Sequence, residues 1–240
     1  DSPRVEFVTH VDWWEKRTLL KVAFPVDVRA TRATAEIQYG VIERPTHRNT
    51  AYDRGRFEAS CQRWIDLSEG NYGVSLLNDS KYSYDAHGNV LRLSLLRSPV
   101  DPDPHADEGE HQFTYALYPH SGGWRQGAVH QGLELNYPLV AREAENKTGP
   151  LSSVHAFAQV DVENVIVDAV KRHEDSNALI VRLYEAHGQR GAVNLSFSRV
   201  PKGVVECDCM EENDAPVRLN GDTVMFEISP FELRTFKVDF

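Results

Sequence analysis

The chain has 240 residues, is 41% hydrophobic and 10% aromatic, and carries a formal net charge of −10. That content can bury a sizeable core, as one large β domain or two smaller ones. An acidic balance without a basic block argues against nucleic acid or an anionic membrane surface as partner. No run approaches the roughly 18 apolar residues of a membrane span.

The N-terminus, Asp1-Ser2-Pro3-Arg4, has neither the apolar core of a signal peptide nor an initiating Met, so a processed chain or a piece of a longer protein is expected. Leu20, Val22 and Phe24 alternate with Lys21 and Ala23 and predict a strand, which Pro25 pushes toward an edge or an end. Trp13-Trp14 reads as core or inter-sheet filling rather than a sugar platform. Residues 33–42 alternate again and predict one strand with Ala35, Ile37 and Tyr39 on a face, followed by an irregular polar stretch over 43–50. Phe57-Glu58-Ala59 is a possible further strand.

The stretch from Trp64 to Tyr84 is the most informative. Its short apolar strand, Val74 to Leu77, delivers Asn78, Asp79, Lys81 and Tyr82 at its far end. Turn residues precede it (Ser68, Gly70, Asn71, Gly73), and another turn is expected over Asp85, His87, Gly88 and Asn89. An amide, a carboxylate, an ammonium and a phenol at one strand exit can present polar groups to a hydroxyl-rich ligand; the plainer reading of Asn78-Asp79-Ser80 is turn chemistry.

Val90 to Leu96 gives a clean period-two strand. Residues 99–111 contain Pro99, Pro102 and Pro104 and predict a long acidic loop. His105, Asp107 and His111 have metal-ligand chemistry, yet nothing frames them, so a solvated loop is the preferred reading. Phe113 to Tyr118 predicts an aromatic strand ending in a turn over Pro119-His120-Ser121-Gly122-Gly123. The polar stretch 142–153, with Gly149-Pro150, is the best linker and divides the chain into 1–145 and 146–240.

Beyond it, Val160 to Lys171 and Ala178 to Glu185 flank a turn and predict a hairpin, because their β-branched residues favour strands. Strands at Val193–Phe197, Val204–Cys207, Val224–Ile228 and Leu233–Val238 complete a small unit. No glycine-rich phosphate loop, HExxH, GxSxG or long amphipathic helix is found. The fold class expected is all-β, one sandwich followed by another. Three cysteines (Cys61, Cys207, Cys209) are no disulfide framework and fit a reducing compartment. The sequons at Asn78, Asn146 and Asn194 are short enough to arise by chance.

Several blocks taken together carry a resemblance: K-V-A-F-P-V-D-V (21–28), A-E-I-Q-Y-G-V-I-E-R-P-T-H (35–47), R-W-I-D-L-S-E (63–69), Y-G-V-S-L-L-N-D-S-K-Y (72–82), L-R-L-S-L-L-R-S-P (91–99), H-Q-F-T-Y-A-L-Y-P-H-S-G (111–122), R-L-Y-E-A-H-G (182–188) and P-F-E-L-R-T-F (230–236). In collinear order over nearly the whole chain, they resemble the C-terminal β region of glycoside hydrolase family 38 α-mannosidases, in the branch with cytosolic and bacterial members.

The resemblance implies a large galactose-mutarotase-like β-sandwich, entered part-way, followed by a small β-sandwich. It also implies that the zinc ion and the nucleophilic aspartate belong to a missing N-terminal α/β domain. No catalytic residue and no cofactor is then expected in this chain. A retaining glycosidase needs two carboxyl groups about 5 Å apart, and the resemblance makes none of this chain's carboxylates the nucleophile. It implies instead that Lys81 is the basic side chain lent to the substrate cleft, in place of an arginine that is not its equivalent. Asp79, Asn78 and Tyr82 complete the expected substrate-binding set.

The expected partners are a mannose-containing oligosaccharide, the catalytic domain of the same enzyme and further copies in a homo-oligomer; the expected location is cytoplasmic. Two other readings stand beside it. A free-standing carbohydrate-binding module would use Trp13, Trp14, Trp64, Trp124 and the tyrosines. A mutarotase-like epimerase would need His47, His111 and His120 to face one cavity.

Overall fold

The computed structural model describes residues 2–143, 149 and 152–240. Most of the expected linker, the 145/146 division and the sequon at Asn146 lie outside these residues. The chain forms two compact units, Asp1–Ala141 and Arg142–Phe240. Both are built from antiparallel sheets, and the protein is all-β apart from two helices among the described residues.

In the first unit a six-stranded sheet runs in the order β1 (Val5–Trp13), β10 (Gly109–Ser121), β7 (Tyr72–Asn78), β6 (Trp64–Ser68), β3 (Arg32–Ile37) and β4 (Gly40–Pro45). The second sheet is β2 (Leu20–Pro25), β9 (Val90–Leu96), β8 (Ser83–His87) and β5 (Ala59–Ser60). Ile65, Leu67, Leu76 and Phe113 of the larger sheet share one core with Tyr84, Leu91 and Leu93 of the smaller. Successive side chains of a strand point to opposite faces, so Trp64 and Leu77 turn away from that core, and they too are fully buried. Trp64 stacks on Trp124 at 5.4 Å. Helix α2 (Ala128–Asn136) lies close by: a Cβ at Gly132 would sit 3.0 Å from Trp64 Cδ1. Burial of both faces explains why β6 and β7 carry large apolar residues on each, Ile65, Leu67 and Leu76 inward and Trp64 and Leu77 outward.

The outward face also holds a closed polar network. Asp66 Oδ2 accepts from Ser75 Oγ (2.8 Å) and from His120 Nε2 (2.7 Å), and Asp66 Oδ1 accepts from Ser68 Oγ. All of Asp66, Ser75 and His120 are buried, and such a network is stable only because its members satisfy one another. Gly73 makes room for it, since a Cβ there would lie 2.4 Å from His120 Cε1 and 2.4 Å from Ser68 Oγ.

Three local expectations are corrected. Residues 33–42 are not one strand but the β3–β4 hairpin, closed by a two-residue loop at Gln38-Tyr39 with Tyr39 at φ 51°. β10 does not stop before Pro119: it continues to Ser121, and Pro119 is tolerated because pairing with β1 ends at Leu117, leaving β7 as its neighbour. Asp85 and His87 lie in β8, and the turn is confined to Gly88-Asn89. The polar stretch after β4 leads into a short helix, α1 (Ala51–Gly55), whose capping box pairs Thr50 Oγ1 with the Asp53 N–H (3.0 Å) and Asp53 Oδ2 with the Thr50 N–H (3.0 Å).

In the second unit β11 (Ala158–Val160), β14 (Gly191–Phe197), β18 (Thr223–Ile228) and β17 (Arg218–Asn220) form one sheet. β12 (Val165–Arg172), β13 (Leu179–Glu185), β19 (Leu233–Asp239), β15 (Gly203–Cys207) and β16 (Ala215–Pro216) form the other. Val181, Leu183, Phe236 and Val238 meet Val193, Leu195, Phe197 and Val224 in its core. The expected hairpin is β12–β13, with its register shifted at Asp168.

Glu185, at the end of β13, is fully buried and holds three separate segments. Oε1 accepts from the His187 N–H (2.8 Å) and the Asn164 amide (3.0 Å); Oε2 accepts from the N–H groups of Gly188 (2.7 Å) and Phe231 (3.0 Å). Desolvation alone would raise the Glu185 pKa, but the Phe231 N–H, the Asn164 amide and the His187 and Gln189 N–H groups outweigh it, and the carboxyl lies below its usual 4.5.

A lowered folded-state pKa contributes stability above the unfolded value that is lost as pH falls through the folded one. Glu185→Gln should therefore cost about 1–3 kcal/mol at neutral pH, with the gap to wild type closing on acidification below the usual glutamate range, read from urea midpoints across the acid limb. Gly73→Ala should cost about 1–3 kcal/mol by forcing His120 or Ser68 to shift, measurable as a lower thermal midpoint.

Candidate substrate-facing groove

The exit of β7 is built by its own side chains. Asn78 is fully buried; its Nδ2 donates to Gln62 O (2.8 Å) and its Oδ1 accepts from the Lys81 N–H (2.8 Å). Asp79 continues the pairing with β10 by other means. Its N–H donates to Thr114 O (3.1 Å), while its Oδ2 accepts from the Thr114 N–H (2.8 Å) and its Oδ1 from Ser80 Oγ (2.8 Å). Both side chains thus shape the turn, and neither lines the groove beside it. Lys81 and Tyr82 follow, and these two line an open groove of about 900 Å³.

The groove mixes apolar and polar walls. Leu19, Phe57 and Leu95 line it with Arg97, Asp107 and His111. Phe57 is 65% exposed and Tyr82 51%, so two aromatic rings face solvent there. The Lys81 ammonium lies 4.4 Å from the centroid of the Phe113 ring. Burial lowers its pKa, and the charges of Asp107 and Asp79 only partly offset this. Asp107 in turn accepts the N–H groups of Ser98 (2.9 Å) and Arg97 (3.0 Å), chiefly the first of which holds its carboxyl below the usual range. A groove lined by an ammonium, two exposed aromatic rings and hydrogen-bonding groups suits a polyhydroxylated ligand: rings for its apolar faces, charge and dipoles for its hydroxyls.

Phe57, Arg97 and the anchoring role of Asp107 were not legible from local spacing. Asp107 and His111 have metal-ligand chemistry, but the structure gives them other partners. His111 Nε2 donates to Asp107 O (2.8 Å), and His105 Nδ1 pairs with Glu108 (2.7 Å). Among the described residues no group of three or more His, Cys, Asp or Glu side chains is placed to hold a metal ion. The histidines of the epimerase reading do not share a cavity. His111 lines the groove, His47 lines a different hollow, and His120 is buried with Asp66.

Trp64 and Trp124 are buried, whereas Trp14 is 67% exposed, with its Nε1 donating to Asp12 Oδ1 (2.6 Å). Neither described sequon offers a ready acceptor, since the Asn78 amide is buried and the Asn194 amide donates to Asp161 Oδ2 (2.7 Å). The three cysteines are free thiols. Burial pushes the Cys61 thiol up to about 12, which leaves it unreactive. No helix among the described residues is long and apolar enough to cross a membrane.

Residues 1–105 match the model of the glycosyl hydrolases family 38 C-terminal domain, and residues 164–236 match that of the family 38 C-terminal beta sandwich domain. The chain is similar to alpha-mannosidase 2C1 of Homo sapiens, with 42% identity over 237 residues, 96% of this chain and 23% of the relative. It is 40% identical over 242 residues to alpha-mannosidase G of Dictyostelium discoideum, covering 99% of this chain and 22% of the relative. The crystal structure of an alpha-mannosidase from Enterococcus faecalis superposes with a TM-score of 0.81 at 22% identity, over 98% of this chain and 27% of that one. At that identity the likeness is one of fold. The chain spans about a quarter of the length of the curated relatives it matches.

The two kinds of residue at the β7 exit should separate by experiment. Asp79→Ala leaves the Thr114 N–H without its acceptor and should lower stability by about 1–2 kcal/mol. Lys81→Gln should cost about 1 kcal/mol or less. Thermal unfolding of the two variants side by side reads the difference.

Proposed function

Because the chain belongs to the C-terminal β region of glycoside hydrolase family 38, we propose that it is the non-catalytic β part of a retaining α-mannosidase acting on mannose-terminated oligosaccharides. In this reading the groove beside the β7 exit completes the substrate cleft. Lys81 and Tyr82 contact the sugar, and Asn78 and Asp79 hold the turn that presents them. The observation that carries the reading is the placement of Lys81 with two exposed aromatic rings, Phe57 and Tyr82, in one groove within the region that matches the family.

The chemistry itself belongs elsewhere. The zinc that family membership implies finds no fitting donor set among the described residues, so we place metal and nucleophile in a catalytic domain outside this chain and derive no step through them. That domain, the oligosaccharide and further copies of the enzyme are the proposed partners. A reducing location, the cytoplasm, is supported by the three free thiols.

A free-standing carbohydrate-binding module draws on the same exposed rings. The two readings part on the full-length protein. There Lys81→Ala should lower kcat/KM for an aryl α-mannoside by about tenfold, the loss of about 1.4 kcal/mol of transition-state binding, and the 240-residue chain alone should be inactive. Unchanged kinetics would remove Lys81 from the cleft. Zinc-dependent hydrolysis by the isolated chain would overturn the non-catalytic assignment.

A further inference from the structure

Residues 44–57 hold four arginines and one carboxylate, in a chain whose net charge is −10. The segment leaves β4, forms α1 and returns toward β5, and in doing so sets Arg44, His47, Arg48 and Arg56 around a hollow of about 380 Å³. Ala33, Ile42 and Tyr84 supply apolar walls.

Three carboxylates also line the hollow, and each already has partners. Asp53 accepts the Thr50 N–H (3.0 Å) that caps α1 and lies 3.5 Å from His47 Nδ1. Glu58 and Asp85 share the Lys21 ammonium. Glu58 further accepts from Ser83 Oγ (2.7 Å) and Ser94 Oγ (3.0 Å), and Asp85 from Arg92 Nη1 (2.7 Å).

The guanidinium groups are matched differently. Arg44 donates through Nη1 to Ser60 O (3.1 Å) and to the Tyr84 hydroxyl (3.1 Å), both neutral. Arg56 stacks on the Tyr52 ring at 4.1 Å and donates to its hydroxyl, again neutral, while its charge also acts on Asp53 without a hydrogen bond to it. Arg48 approaches Asp85 only to 3.6 Å, and that carboxylate is already held by Lys21 and Arg92. The acids of the hollow are therefore compensated, while positive charge and N–H donors are left over.

We propose that this hollow binds an oxyanion, a phosphate or carboxylate group carried by a small ligand, with Arg44, Arg48 and Arg56 as its charge partners. The planar fork of a guanidinium matches the paired oxygens of either group. The hollow adjoins the Lys81 groove at Glu58, but oxyanion binding there does not depend on the mannosidase reading.

Calorimetric titration of the 240-residue chain with inorganic phosphate and, separately, with succinate tests it at low ionic strength, where surface charge is least screened. At least one probe should saturate, and the one that binds names the oxyanion. Arg48→Gln should weaken that probe about fivefold or more, and Arg48→Gln/Arg56→Gln should abolish its binding. Arg32→Gln, which alters an exposed pair with Glu43, should leave it unchanged. Arg48 has no hydrogen-bond partner at normal distance among the described residues, so its variant tests the site without threatening the fold. No saturation by either probe, an unaltered Arg48→Gln affinity, or an equal loss in Arg32→Gln would overturn the proposal.

Discussion

The buried amide of Asn78 fixes the geometry on which the groove depends. It sits where β7 leaves a sheet that is covered on both faces. A buried amide must find partners for its N–H and C=O groups, and Asn78 takes the Gln62 carbonyl on one side and the Lys81 N–H on the other. The same bond that satisfies the amide therefore sets the backbone of Lys81. Asp79, one residue on, uses its carboxylate to hold β10, and β10 carries Phe113, against whose ring the Lys81 ammonium rests. The turn chemistry at this exit therefore also sets where the Lys81 side chain emerges.

What holds β7 itself is the sandwich on one side and a mixed layer on the other. The inward face is ordinary sheet-on-sheet packing. The outward face combines the Trp64–Trp124 stack with the Asp66–Ser68–Ser75–His120 network, whose polar members replace water for one another. Such a layer is less forgiving than an apolar one, because losing any partner strands a buried group. That demand explains why glycine stands at 73, where any side chain would enter the network.

Much of this architecture can be read in the sequence where one periodicity dominates. Val90–Leu96, Gly191–Phe197 and Thr223–Ile228 alternate, and the structure places strands there. Reading fails where a local signal is overruled or absent. The alternation of residues 33–42 runs straight through Tyr39, and only the backbone reversal, followed by Gly40, marks the hairpin. α2 contains Gly132 and has Gly127 as its N-cap, with no side chain to cap it, so its propensity is poor, and helix there depends on packing rather than on sequence preference. For the groove, Lys81 and Tyr82 were legible because one strand delivers both. Phe57 and Arg97 come from other segments, and only long-range pairing of β8 with β5 and β9 brings them alongside.

Glu58 shows how an acidic chain can keep two positively lined concavities next to each other. It borders both the Lys81 groove and the arginine hollow. An isolated carboxylate there would attract Lys81 from one side and the guanidinium groups from the other, filling both spaces with internal ion pairs. Lys21 prevents this by supplying the counter-charge from β2, and Ser83 and Ser94 take up the second oxygen. Asp85, held by Lys21 and Arg92, does the same deeper in the hollow. At short range a matched pair projects little field, whereas an unmatched charge projects a large one. The electrostatic character of each concavity is thus set by its least tightly paired cation, Lys81 in one and Arg48 in the other, the latter 3.6 Å from an Asp85 already held by Lys21 and Arg92, and not by the net charge of the chain.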